Sequence, residues 1–252
     1  MGFSKNILGW IPSFITSLGL ISGALAIFFA IDGHLTFAGI FILIAAVFDF
    51  LDGFSARLLN AYSLLGKELD SLADLISFGL APAAILFTLL EFALFGKNQP
   101  IHEIDALWYE WLALASAFLI PVFSALRLAK FNISTNQDRN FIGLPTPANA
   151  ILWASLAIIV SIPGNTELIR LLFTVKNLAI TAVVTSLLLV SRIPMFSLKF
   201  SSGRWKENWH RYIFIILCIG LAIFFHVYAV PALVLIYIFS NMVFYLLKIE
   251  LA

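Results

Sequence analysis

The stretch "FDFLDGFSARLLNAYSLLGKELDSLADLISFG", from Phe48 to Gly79, sets Asp49, Asp52, Asp70 and Asp74 into an otherwise apolar chain. Read with helical spacing, Asp49, Asp52, Gly53 and Ala56 fall at i, i+3, i+4 and i+7 and share one face. Gly66, Asp70 and Asp74 recur at i, i+4 and i+8 and form a second stripe. Two acidic stripes can therefore face each other across a short loop, with residues between the carboxylates too small to block a ligand.

Outward from this stretch the chain is oily. It has 252 residues, of which 62% are hydrophobic and only 12% charged, with a mean hydropathy of +1.01. Soluble domains carry about 25% charged residues, so the chain reads as an all-α, polytopic membrane bundle. A spanning helix needs about 20 mostly apolar residues, and eight segments qualify: 11–31, 35–56, 71–95, 107–127, 146–163, 173–192, 209–228 and 230–247. "IDGH", "LFGKNQP", "IPGN" and "SRIP" punctuate them. With no linker, repeat or soluble segment in view, residues 1–252 read as one integral membrane domain. A net charge of +1 argues against nucleic acid as a partner, which demands a basic excess.

The first segment follows Lys5 and contains "ALA" at Ala24–Ala26, as signal peptides do, but its apolar run is long and carries Pro12, Thr16 and Gly23, the marks of a packing helix. Cys218 reads as a small hydrophobe. His34, His102, His210 and His226 are scattered without ligand spacing.

Short loops on the cytoplasmic side carry the Lys and Arg excess. Placing both termini inside puts Lys5, Arg57, Lys67, Arg127, Lys130, Arg139, Arg192, Lys199, Arg204, Lys206, Arg211 and Lys248 there. Only Lys97, Arg170 and Lys176 remain outside. The aspartates then open to the cytoplasm, and the membrane reads as a bacterial-type inner or cytoplasmic one. "GRWKENWHRY", Gly203–Tyr212, reads as an interfacial anchor for membrane lipid.

Four unpaired aspartates in a membrane cost on the order of 10 kcal/mol or more, less near the interface. Arg57 alone cannot balance them. Two divalent cations can, and an oxygen-only ligand set favours hard Mg²⁺, Mn²⁺ or Ca²⁺ over zinc. Paired metals suit phosphoryl chemistry, because they stabilise attacking and leaving oxygens together. Arg57 beside them is a natural partner for a diphosphate.

Asp49, Asp52, Gly53, Ala56, Arg57, Gly66, Asp70 and Asp74 together read D-x2-D-G-x2-A-R-x8-G-x3-D-x3-D, which resembles the signature of the CDP-alcohol phosphotransferases. The resemblance implies a helical membrane enzyme that transfers a substituted phosphate from a CDP-linked donor to an alcohol and releases CMP, using two divalent ions, Mg²⁺ or Mn²⁺. It implies that Asp49, Asp52 and Asp70 ligate metal, and that Asp74 ligates or adjoins metal and acts as the base on the acceptor hydroxyl. Asp52, Gly53, Ala56, Arg57 and Gly66 would line the CDP site, and a homodimer is the family expectation. "GKELDSLADLISFGLAPA", "ALRLAKFN" and "FIGLPTPANA" resemble the phosphatidylserine synthase branch, which implies CDP-diacylglycerol as donor and L-serine as acceptor. "IPSFITSLGLISG" resembles the branch's P-N-x2-T-x2-N pattern, with Ser13 and Gly19 where Asn is usual.

Serine is a zwitterion and needs one cationic and one carbonyl or anionic partner, whereas glycerol phosphate or inositol phosphate needs a concentrated basic pocket. Arg127 and Lys130 are the basic pair near the signature, and would hold the carboxylate. Asn132, or a carbonyl near "GLPTPA", would receive the ammonium. Two alternatives stay open on the residues alone: a phosphatidylglycerolphosphate synthase, and an ion-coupled transporter, whose pathways also use intramembrane acids. Acids gathered in one cluster without repeated halves weigh against the latter.

Overall fold

The computed structural model describes residues 10–133, 141–164, 166–195 and 205–247. Lys5, Arg139, Lys199, Arg204 and Lys248, counted above toward one side, lie outside the described residues, as does the start of the "GRWKENWHRY" segment. The elements are α1 (Trp10–Ile31), α2 (Leu35–Leu58), α3 (Leu64–Asp74), a π-helical turn (Leu75–Leu80), α4 (Ala81–Phe95), α5 (Trp108–Ala115) and α6 (Leu119–Ile133). They continue as β1 (Phe141–Ile142), α7 (Thr146–Val160), α8 (Thr166–Leu172), α9 (Val175–Leu189), β2 (Pro194–Met195), α10 (Trp205–Phe225) and α11 (Ala229–Leu246). β1 and β2 form a two-residue antiparallel pairing, Phe141 opposite Met195 and Ile142 opposite Pro194, which the all-helical reading did not anticipate.

Five helical runs are long and apolar enough to cross a membrane: Trp10–Ile31, Leu35–Leu58, Leu64–Phe95, Trp108–Ile133 and Ala229–Leu246. Three shorter apolar helices, Thr146–Val160, Val175–Leu189 and Arg211–Phe225, account for the other three segments expected from hydropathy. Phe28, Phe37, Phe224 and Phe239 stand exposed on the outside of the bundle, where a lipid solvent accepts side chains that water would not. The protein is a polytopic helical membrane bundle.

The third segment differs from its expected span. It begins at Leu64, not near residue 71, and runs to Phe95 as 32 continuous residues. Local chemistry sets its start: Asn60 takes φ +49° in the turn after α2, a conformation asparagine tolerates. Ser63 then caps α3, its hydroxyl accepting from the Gly66 N–H at 2.9 Å. Asp70 and Asp74 consequently lie inside a helix antiparallel to the one bearing Asp49 and Asp52.

The run changes its hydrogen bonding immediately after Asp74, where Leu75–Leu80 is π-helical and the Ala81 N–H reaches back to the Ile76 carbonyl. Pro82 follows, and having no N–H it cannot continue the α ladder to the carbonyl four residues before it. The wider turn absorbs that mismatch, as π-bulges do at functional sites.

α1 packs along α2, α3, the π-turn and α4, while α7 packs on α2, α4, the π-turn and α11. The hydrophobic core joins these helices through Ala26, Ala38, Ile42, Phe78, Leu86 and Trp153. Close approach depends on two glycines. A Cβ on Gly39 would lie 2.6 Å from the Ala154 carbonyl, and one on Gly23 would lie 2.2 Å from Ser77 Oγ and 2.6 Å from Ser77 Cα. Small residues at membrane helix contacts let backbones meet in this way.

Gly23→Ala is therefore expected to lower the melting temperature in detergent, losing about 1 to 3 kcal/mol as overpacked interiors do. Gly220→Ala, where an added Cβ meets nothing within 4 Å, serves as the control and should melt like the unmodified protein. Equal melting of the two variants would remove the packing role assigned to Gly23.

At the end of α4 far from Asp70 and Asp74, buried Glu91 accepts from Asn98 Nδ2 at 2.9 Å and ties down the following loop. His34 pairs with Asp32 at 3.0 Å, and His102 with Glu103 at 3.8 Å. Both histidines sit in connections between helices, away from the acidic stripes.

Candidate active site and metal centre

The two stripes meet. One carboxylate oxygen from each of Asp49, Asp70 and Asp74 lies within 4.8 Å of the others. Asp52 is within electrostatic reach of all three. It is buried, and its Oδ2 accepts from Thr16 Oγ1 at 2.5 Å. α1 thus reaches across to fix the one aspartate that stands apart from the other three. Thr16 occupies the T of the N-terminal pattern noted above.

Among the described residues, no Lys or Arg comes within ion-pair distance of these aspartates; the salt bridges found there are the two histidine pairs already described. Arg127 is within longer electrostatic range of Asp74. Like charges gathered at this spacing without a close counter-ion repel strongly in a site of low dielectric. The donor set fits hard divalent cations: three carboxylates converge, a fourth is held beside them, and no thiolate or imidazole intrudes.

The residues assigned to the donor nucleotide lie on the same two helices as the aspartates. A Cβ added to Gly53 would meet nothing nearer than Arg57 Nη1 at 3.8 Å. That leaves open space beside the carboxylates with a guanidinium at its edge. Ala56 is half-buried one turn away, and Gly66 lies in the first turn of α3. Arg57 itself, in the last turn of α2, is exposed.

The three acceptor candidates separate. Arg127 is half-buried and faces both Asp74 and Tyr237 electrostatically. Lys130 is exposed. Asn132 is occupied in holding helices together: its Nδ2 donates to Ser71 Oγ at 2.9 Å, and its carbonyl accepts from Lys67 Nζ at 3.4 Å.

Tyr237 was not visible as a site neighbour from sequence. It sits in an apolar run of α11 and packs with Leu144 and Ala148 at the start of α7. Only the folded helices bring it to Arg127.

A family model described as CDP-alcohol phosphatidyltransferase matches residues 9–188. A CDP-diacylglycerol–serine O-phosphatidyltransferase of Helicobacter pylori is 32% identical over 226 residues, covering 87% of this chain and 83% of the relative. A protein of the same name from Bacillus subtilis is 32% identical over 205 residues, covering 79% of this chain and 100% of the relative. An archaetidylserine synthase of Methanothermobacter thermautotrophicus is 35% identical over 155 residues, 60% of each chain.

Proposed function

The chain belongs to the CDP-alcohol phosphatidyltransferase family, and from that premise we propose that it transfers the phosphatidyl group of CDP-diacylglycerol to the hydroxyl of L-serine, giving phosphatidylserine and CMP. The observation that carries the choice of serine is the similarity, over most of the chain, to proteins named for that reaction. The whole chain, 1–252, works as one membrane domain and pairs as a homodimer. The site faces the cytoplasm, as the distribution of Lys and Arg supports, in a bacterial-type inner or cytoplasmic membrane.

Asp49, Asp52, Asp70 and Asp74 hold two Mg²⁺ or Mn²⁺ ions. Bound there, the ions neutralise the donor's diphosphate and stabilise charge on the transferred phosphorus group. Thr16 keeps Asp52 oriented through its hydroxyl. Gly53, Ala56 and Gly66 leave room for the cytidine diphosphate, and Arg57 closes on its phosphates with a planar fork. Asp74 takes the proton from the serine hydroxyl as that oxygen attacks phosphorus and CMP leaves. Arg127, drawn in beside Asp74, holds the serine carboxylate. The acyl chains remain in lipid while the head group reaches the aqueous boundary.

The test is CMP release by purified protein in detergent with CDP-diacylglycerol and Mg²⁺ or Mn²⁺, offered serine, glycerol 3-phosphate or inositol phosphate. Serine should be the productive acceptor. A preference for glycerol 3-phosphate would overturn serine as the substrate and leave the family untouched.

The different settings of Arg127 and Lys130 give a second expectation. Arg127→Met should raise the KM for serine by roughly one to two decades, the loss of a charge-assisted contact of about 1.5 to 3 kcal/mol. Lys130→Met should change it by no more than about fivefold, since exposed charges contribute at most about 1 kcal/mol. The KM for CDP-diacylglycerol should hold in both. A larger effect at Lys130 than at Arg127 would reverse the assignment.

A further inference from the structure

One face of α7 carries Thr146, Asn149 and Trp153 at i, i+3 and i+7, so the three side chains form a single stripe. None is more than 1% exposed. The Thr146 hydroxyl, both amide atoms of Asn149 and the Trp153 indole nitrogen find no hydrogen-bond partner among the described residues. They are four of the eight buried side-chain polar atoms left unpartnered among the described residues. Arg127 Nε is another.

Elsewhere most buried hydroxyls are served, Ser124 and Ser186 excepted. Ser22 donates to the Phe41 carbonyl at 2.8 Å, Thr88 to that of Ala30 at 2.8 Å, and Ser155, on another face of α7, to that of Leu152 at 2.7 Å. Hydroxyls in helices can often find a carbonyl by rotating. A primary amide with both ends unmatched has no such remedy, and each unpaired buried group costs about 1 to 3 kcal/mol. Native proteins leave few such groups without a reason.

The helix that carries the stripe lies beside elements of the acidic site. α6 and α7 both pack on the π-turn that follows Asp74. α7 also packs on α11, whose Tyr237 shares a cluster with Ala148 and is within electrostatic reach of Arg127, which is within reach of Asp74. Thr146 and Asn149 thus lie on a helix packed against the turn that follows Asp74, the aspartate that Arg127 reaches.

We propose that Asn149, with Thr146, reads the α-amino-acid end of the acceptor. Asn149 Oδ1 accepts from its ammonium, while Asn149 Nδ2 and the Thr146 hydroxyl donate to its carboxylate beside Arg127. This deepens the serine reading above and rests on it. An amide suits the task because it presents a donor and an acceptor together without adding charge. A phosphorylated alcohol would find a single guanidinium there and an amide oxygen turned against it.

The test uses Asn149→Leu, which keeps bulk and removes both polar atoms. The purified protein in detergent is assayed for CMP release with serine, with ethanolamine, which lacks the carboxylate, and with 3-hydroxypropanoate, which lacks the ammonium. The variant should melt at or above the unmodified protein, because a buried unpaired amide is gone. Its KM for serine should rise about tenfold or more, that for CDP-diacylglycerol should hold, and its preference for serine over 3-hydroxypropanoate should collapse.

Should Asn149→Leu fail to fold, Thr146→Val carries the same test, with a raised KM for serine and an unchanged one for ethanolamine. Serine kinetics and preference that match the unmodified protein in whichever variant folds overturn the inference, as does a lowered melting temperature with preference intact. An unmodified protein that releases no CMP with serine overturns the serine reading instead.

Discussion

Asp70→Asn is expected to abolish CMP release, by about 10³-fold or more, while the protein expresses and melts as before. The substitution preserves side-chain volume in a half-buried position and takes away a negative charge that faces Asp49, Asp52 and Asp74. Among the described residues Asp70 caps no helix end and pairs with no Lys or Arg. What depends on it is the convergence of three carboxylate oxygens within 4.8 Å. A metal's stabilisation of developing phosphoryl charge is several kcal/mol, and ~4 kcal/mol corresponds to about three decades in rate. If metal held by these carboxylates receives the diphosphate, as proposed, CDP-diacylglycerol with Mn²⁺ should raise the melting temperature of the unmodified protein and not that of the variant. Turnover within about tenfold of the unmodified enzyme at saturating metal, well short of that loss, would sink the two-metal site.

The acidic centre was readable before any coordinates because helical geometry converts spacing into position. Asp49 with Asp52, and Asp70 with Asp74, must share faces if their segments are helices, and a chain this apolar leaves little else for them to be. The short turn at Asn60 to Ser63 then makes the two faces meet. Hydropathy likewise located the eight apolar segments, although it missed the start of α3, whose first turns are polar enough to resemble a loop. Other features depend on contacts between distant segments and leave no periodic trace. Thr16 lies 36 residues before its partner Asp52; Tyr237 reaches Arg127 from the far end of the chain. Asn149 belongs to "LPTPANA", where the two prolines suggest only the start of a helix. Its significance appears when the fold buries it and supplies no partner. Asn132 shows the reverse case: its place beside Arg127 and Lys130 in sequence suggested a substrate contact, and packing gives it Ser71 instead.

Asp74→Asn should be nearly as damaging as Asp70→Asn but damaging in a different way. Asp74 closes α3 and opens the π-turn, so its position is set by Ser77 beneath Gly23 on one side and by Pro82 about two turns later. Of the four aspartates it is the one that Arg127 approaches, which puts it on the acceptor's side of the cluster. An asparagine there loses the capacity to take a proton, while Asp49, Asp52 and Asp70 keep their charges. The loss of a general base is expected to slow transfer by about 10² to 10⁴-fold. CDP-diacylglycerol with Mn²⁺ should still raise the melting temperature of this variant, because the remaining aspartates, Gly53 and Arg57 still receive the donor. That pairing of outcomes, donor bound but not transferred, separates the two aspartates experimentally. If Asp74→Asn lost the donor-induced shift as completely as Asp70→Asn, Asp74 would be a metal ligand before anything else, and the proton would have to leave by another group. If it kept full turnover, neither role would stand, and the π-turn that positions it would have no catalytic purpose.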